Sequence, residues 1–118
     1  MLVTGSTSGI GRDVARMCAR EGARVAVHGR NVARGEVVVQ EIAAAGGTAA
    51  FFAADVADEA ACNALVDDVA TRFGGLTVLV NNAAAGTGGN SVSWSLTNDP
   101  QYATGSYSAT ATFTISAT

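Results

Sequence analysis

The sequence predicts an α/β fold: four parallel strands in the order 3-2-1-4 with flanking helices, then a C-terminal β-hairpin. Three observations carry that reading. Short apolar runs alternate with longer segments of helical spacing through residue 86, joined by links too short for anything but neighbouring elements. A glycine-rich turn, Thr4-Gly5-Ser6-Thr7-Ser8-Gly9-Ile10-Gly11, sits between the first apolar run and the first helical one. Finally, the composition changes near Gly86: from Thr87 onward there is no basic side chain, one acid (Asp99), and Ser or Thr at thirteen of thirty-two positions. Residues 1–86 and 87–118 are therefore read as separate parts, the second a Ser/Thr-rich extension.

Residues 1–3 begin a buried strand. Ile10, Val14, Met17 and Cys18 recur at helical spacing, so residues 10–21 read as the first helix, stopped by Gly22. Arg24-Val25-Ala26-Val27-His28 is a compact apolar strand of the kind covered on both faces in a parallel sheet. Gly29-Arg30-Asn31 turns the chain. Residues 32–45 read as a second helix despite three consecutive valines, because length, Glu36, Glu41 and the stop at Gly46-Gly47 outweigh their branched side chains. A third strand spans 48–54 and closes on Asp55-Val56. Asp58 offers an N-cap, and Leu65, Val69 and Phe73 with Ala61, Cys62 and Val66 form an apolar stripe, with Asp67 and Asp68 on the solvated face. After Gly74-Gly75, residues 76–80 form a fourth strand leading into Asn81-Asn82-Ala83-Ala84.

Composition sets the outer bounds. A chain of 118 residues holds one domain at most, and 48% apolar with 14% charged residues describes a packed globule. A formal charge of −3 gives no electrostatic reason for a nucleic-acid or anionic-membrane partner. No apolar run is long enough to span a bilayer and no basic leader precedes the first strand, so a cytoplasmic location is expected. Cys18 and Cys62 fall on helices without metal-ligand spacing and read as reduced thiols; no metal site is expected. His28, in a buried-type strand with no acid or serine motif beside it, reads as a packed or hydrogen-bonded histidine, and Trp94 as a core or hairpin-face residue.

A strand, a glycine turn and a helix in that order make a phosphate cradle, since the unpaired N–H groups of the first helical turn face the anion. Gly5 permits the tight turn, Gly9 lets backbone approach a diphosphate, and Gly11 lets the helix pack closely on the strand. The combination of TGSTSGIG, HGRN after the second strand, ADV after the third and LVNNAA after the fourth resembles the short-chain dehydrogenase/reductase superfamily, over residues 1 to about 86. The resemblance implies the Rossmann-like, cofactor-binding half of an NAD(P)-dependent oxidoreductase. It places Gly5, Ser6, Ser8, Gly9, Ile10 and Gly11 around the diphosphate and adenosine ribose, and Asp55 and Val56 around the adenine. Asn82, Ala83 and Ala84 would line the path to the nicotinamide ribose, with Ala84 standing where the family usually has glycine. Asn81 is read as the structural asparagine that ties down the fourth strand. Relatives that prefer NAD carry an acid at the end of the second strand; here Gly29 leaves that place empty, and Arg30 beside it can pair with a 2′-phosphate, which favours NADP over NAD.

The resemblance also implies a hydride transfer to or from a small carbonyl or alcohol substrate, with a tyrosinate as acid/base whose pKa is lowered by a lysine four residues later. This sequence contains no lysine, and its arginines all lie between Arg12 and Arg72. Tyr107-Ser108-Ala109-Thr110-Ala111 matches the tyrosine but puts Ala111 in the lysine position, with Ser95 (or Ser93) as the accompanying serine; Ser95 and Tyr107 are the candidate catalytic residues. Only about 25 residues separate Asn82 from Tyr107, too few for the family's intervening helix. The local pattern reads otherwise. Val92, Trp94 and Leu96 alternate with hydroxylated residues, as do Tyr107 through Ala117, which is a strand period with turn material between the two runs. The closing GSYSATATFTISAT is similar to the last strand of fimbrial-type β-sandwich subunits. Three functions stay open: an NADP-dependent oxidoreductase domain that is incomplete and inactive alone, a protein that holds a dinucleotide without turning it over, and a structural or adhesive protein assembling through its C-terminal strands. An uncovered sheet edge would invite self-association in each case.

Overall fold

The structure, a computed structural model, describes residues 1–83. The C-terminal hairpin and the readings of Ala84, Ser95 and Tyr107 lie outside the described residues. Four strands, β1 (Leu2–Val3), β2 (Arg24–Gly29), β3 (Thr48–Ala53) and β4 (Leu79–Val80), alternate with three helices, α1 (Gly9–Arg20), α2 (Val32–Ala44) and α3 (Glu59–Phe73). All strand pairs are parallel and the order is β3-β2-β1-β4, as the alternation of elements predicts.

Alternate strand residues point to opposite faces and build two cores. On one face Val3, Val25 and Val27 pack against Ala15 and Ala19 of α1 and Val38 and Ile42 of α2. On the other, Leu2 and Ala26 meet Leu65, Val69 and Phe73 of α3. Burial also decides the valine run of α2. Each valine gives up at most about 0.7 kcal/mol of helix propensity relative to alanine, whereas burying Val38 alone contributes about 1.5–3 kcal/mol. The caps follow sequence chemistry: the side chains of Asn31 and Asp58 accept the amides of Arg34 and Ala60, each at 3.0 Å.

The helix read from Ile10, Val14, Met17 and Cys18 forms as α1. Val14 and Cys18 pack half-buried against the first core, whereas Ile10 and Met17 are 77% and 63% exposed. Gly11, Ala15 and Ala19, four residues apart, make the buried line, because small side chains bring the helix close to the sheet. The fourth strand is Leu79–Val80 rather than 76–80. Leu79 stands opposite Leu2 and Val80 opposite Val3 in parallel register, and the pairing of β4 is confined to these two residues.

Candidate functional site

A parallel sheet brings the C-terminal ends of all its strands to one edge, and the residues singled out from sequence follow those ends. The turn 4–8 and the start of α1 follow β1, Arg30 follows β2, Asp55 and Val56 follow β3, and Asn82 and Ala83 follow β4. In open α/β sheets this edge is where ligands bind.

The turn is held from three sides. Gly5 has φ +62°, and a Cβ there would stand 3.0 Å from the Ala83 Cα, so only glycine fits both the conformation and the neighbour. The Thr4 hydroxyl, in a residue 5% exposed, accepts the amides of Asn82 (2.9 Å) and Ala83 (3.0 Å). The Asn82 side-chain amide donates to the carbonyls of Thr4 (3.2 Å) and Gly5 (3.1 Å). Asn82 therefore does the structural work assigned from sequence to Asn81, which is exposed and accepts only a long 3.4 Å contact from Thr4. Ser6 is fully buried: its hydroxyl donates to the Val3 carbonyl (2.7 Å) and accepts the His28 amide (2.9 Å), while its own amide donates to the His28 carbonyl (2.9 Å). Its side chain locks the turn instead of facing the edge. Gly11 packs on the turn more than on the strand, with a would-be Cβ 2.5 Å from the Gly5 carbonyl oxygen and closer still to the Asn82 amide.

This bracing leaves the mouth of the turn open. Ser8, Gly9 and Ile10 are exposed. Ser8 occupies the N-cap of α1 in extended conformation without a side-chain bond to the helix, and no acid lies in the first turn. The first amides of a twelve-residue helix are thus presented with their partial positive charge unopposed. Arg30 is exposed beside Gly29, and a Cβ on Gly29 would stand 2.5 Å from Cγ2 and 3.0 Å from Oγ1 of Thr7. A side chain at position 29 would therefore have to displace the turn's own threonine. At the end of β3, Asp55 closes a small turn by accepting the Ala57 amide (3.0 Å), and the Cys62 thiol of α3 donates to the Val56 carbonyl (3.3 Å). Burial, with Asp58, Asp55 and Glu59 adding to it, pushes the Cys62 thiol up, which keeps it protonated.

Sequence reasoning gave His28 no part in this edge. Its ring is 2% exposed, accepts the Gly5 amide at Nδ1 (3.2 Å) and meets the Ala54 carbonyl through Nε2 (3.0 Å). Burial pushes its pKa below the ordinary value of 6.5, only partly offset by the bond to Ala54. A lowered histidine pKa means that the unfolded chain takes up a proton before the folded one. Stability is then whole above pH 6.5 and falls as the pH drops from there toward the folded value. Urea melts between pH 8 and 5 are expected to show that decline in the wild type, with a smaller one in His28→Asn. Among the described residues no group of three or more His, Cys, Asp or Glu side chains is placed to hold a metal, and no helix is long and apolar enough to cross a membrane.

Comparison with known proteins places this arrangement. The family model described as short chain dehydrogenase matches residues 1–118, beyond the boundary at 86 drawn from composition. The chain is 49% identical over 83 residues to a 3beta-hydroxysteroid dehydrogenase of Mediterraneibacter gnavus, covering 70% of this chain and 30% of that protein. It is 45% identical over 83 residues to a 3-oxoacyl-[acyl-carrier-protein] reductase of Staphylococcus aureus, covering 70% and 34%. This chain thus spans about a third of the length of such relatives. Among solved structures, a metagenomic short-chain oxidoreductase in complex with NADP superposes with a TM-score of 0.69 at 41% identity, covering 73% of this chain and 38% of that one. A variant of actinorhodin polyketide ketoreductase with NADPH gives 0.69 at 42% identity, covering 75% and 34%.

Proposed function

The chain belongs to the short-chain dehydrogenase family, and from that membership we propose that the C-terminal edge of its sheet holds NADP(H). The observation that carries the reading is the braced turn, which keeps its own polar groups occupied while leaving the first amides of α1 open. A diphosphate fits there: Ser8, Gly9 and Ile10 are exposed, and Gly9 has open space where a side chain would stand. Asp55 and Val56 take the adenine, and Asn82 and Ala83 border the path toward the nicotinamide. Arg30 takes the 2′-phosphate, and Gly29 beside it brings no acid to repel that group. When bound, the nicotinamide supplies hydride exchange with a carbonyl or alcohol carbon; the small-molecule substrate is of that class. These 118 residues contain no lysine, so we propose that they bind the dinucleotide without turning it over. Cytoplasmic residence belongs to the same reading: Cys18 and Cys62 are free thiols on helices covering opposite faces of the sheet.

Titration with NADPH, followed by its fluorescence, tests the site. Saturable binding is expected, and its absence leaves a structural or adhesive role for residues 87–118 as the better reading. Arg30→Ala is expected to weaken NADPH roughly 10–100-fold, the equivalent of a charged hydrogen-bond pair at about 1.5–3 kcal/mol. NADH should change by less than about threefold, because it offers no 2′-phosphate to lose. Equal losses for the two cofactors would remove the NADP assignment. Measurable oxidation of NADPH with a panel of ketones would overturn the proposal that turnover is absent.

A further inference from the structure

We infer that His28 is a positioning residue that fixes the distance between the diphosphate turn and the adenine end of β3, so that both halves of one dinucleotide are met at once. The inference rests on the proposed nucleotide site and goes beyond it to a residue that touches no ligand. One imidazole reaches two backbone segments on either side of its own strand: the Gly5 amide at Nδ1 (3.2 Å) and the Ala54 carbonyl at Nε2 (3.0 Å). Gly5 opens the turn, and Ala54 immediately precedes Asp55. An Nδ1 that accepts requires the proton on Nε2, so both contacts select the same neutral tautomer.

Among the described residues no other side chain bonds both segments. The turn is also fastened to β2 by the Ser6–His28 main-chain pair, and β3 by the parallel ladder that ends at the Gly29–Ala53 pair; one residue farther on, just before Asp55, the main-chain bond from Ala54 to Gly29 is 3.4 Å, near the outer limit for such contacts. The neighbouring buried positions of β2 are Val25, Ala26 and Val27, and a fourth apolar residue would have continued that core. A buried imidazole is tolerated because both nitrogens are satisfied, and what satisfies them are the two lips of the site. No titratable side chain lies on β1, the turn or β3. Asp55 and Arg30 are the charged residues next in sequence to its partners and its strand, and α3 brings Glu59 and Cys62 in its first turn.

The test uses the full chain and three probes: ADP, which spans both lips, adenosine, which meets only the adenine side, and pyrophosphate, which meets only the turn. Affinities are read by NMR titration. His28→Leu is expected to weaken ADP about tenfold or more while adenosine and pyrophosphate change less than about threefold, because only the linked probe depends on the spacing. His28→Asn keeps an acceptor for Gly5 but does not reach Ala54, and should leave pyrophosphate unchanged while weakening ADP. Equal losses for all three probes, as a purely structural role would give, overturn the inference, as does wild-type affinity for ADP in either variant. Wild-type protein provides a check independent of both variants: the imidazole 15N shifts should report the Nε2–H tautomer, and an Nδ1–H tautomer overturns the inference. Wild-type protein that binds none of the probes removes the nucleotide site and this inference together, whereas wild-type binding with unaltered variants removes the inference alone.

Discussion

Thr4→Val should lower the stability of the chain by about 2–4 kcal/mol, although the two side chains have nearly the same shape. The Thr4 hydroxyl accepts two amides, from Asn82 at 2.9 Å and Ala83 at 3.0 Å, and its residue is 5% exposed. Valine leaves both donors without a partner, and each unsatisfied buried donor costs about 1–3 kcal/mol. Asn82 and Ala83 are only partly buried, so water recovers some of the loss. The hydroxyl proton, shared between the Val80 carbonyl and the Asn81 side chain at 3.4 Å each, contributes less. Against a domain stability of about 5–15 kcal/mol the change is large. Thr4→Ser is the matching control, because it keeps the hydroxyl and should stay within about 1 kcal/mol of the wild type. Urea denaturation gives the comparison directly, as a lower midpoint at unchanged slope. A Thr4→Val variant that unfolds with the wild type would show that the loop after β4 is held by something other than this hydroxyl. NADPH affinity should fall with stability in the same variant, since the loop and the turn share that side chain.

What could be read from the sequence follows from which physical signals are local. Strand order, helix positions and the cap at Asp58 depend on periodicity and neighbouring residues, and they are recovered. Periodicity places α1, but large apolar residues outweigh small ones in such a count, whereas close helix–sheet approach selects Gly11, Ala15 and Ala19 for the buried line. Where β4 starts is a matter of pairing register with β1 and not of local preference. The roles of Asn81 and Asn82 are set by side-chain direction after a strand, where one step along the chain reverses the face. His28 was read as packed, and it is. That its two nitrogens reach opposite lips of one edge needed the turn and β3 in place. The signal available was a polar residue ending an otherwise apolar strand beside a glycine-rich turn.

Gly11→Ala is the second large effect, and intrinsic preferences alone give it the wrong sign. Alanine exceeds glycine in helix propensity by about 1 kcal/mol, so at an exposed helical site the change would stabilise. Gly11 is buried, and a Cβ there would stand 2.5 Å from the Gly5 carbonyl oxygen and closer to the Asn82 amide that donates to that same oxygen. Neither atom can give way freely: one is backbone in a turn at φ +62°, and the other is held by two carbonyls. Overpacking of this kind costs about 1–3 kcal/mol, and displacing the Asn82 amide adds about 1 kcal/mol for each bond lost. The net expectation is destabilisation of about 1–3 kcal/mol, with NADPH binding reduced at least about tenfold because the turn itself must move. Gly9→Ala separates this contact from a general intolerance of side chains in the motif. Gly9 has φ +54° with nothing near its would-be Cβ, so alanine there meets only the backbone penalty of about 1–2 kcal/mol. Thermal melts of the two variants should place Gly11→Ala below Gly9→Ala once the helix-propensity gain is added back. A Gly11→Ala protein that melts above the wild type and still binds NADPH would mean that α1 stands farther from the turn than the geometry of Gly5 and Asn82 requires.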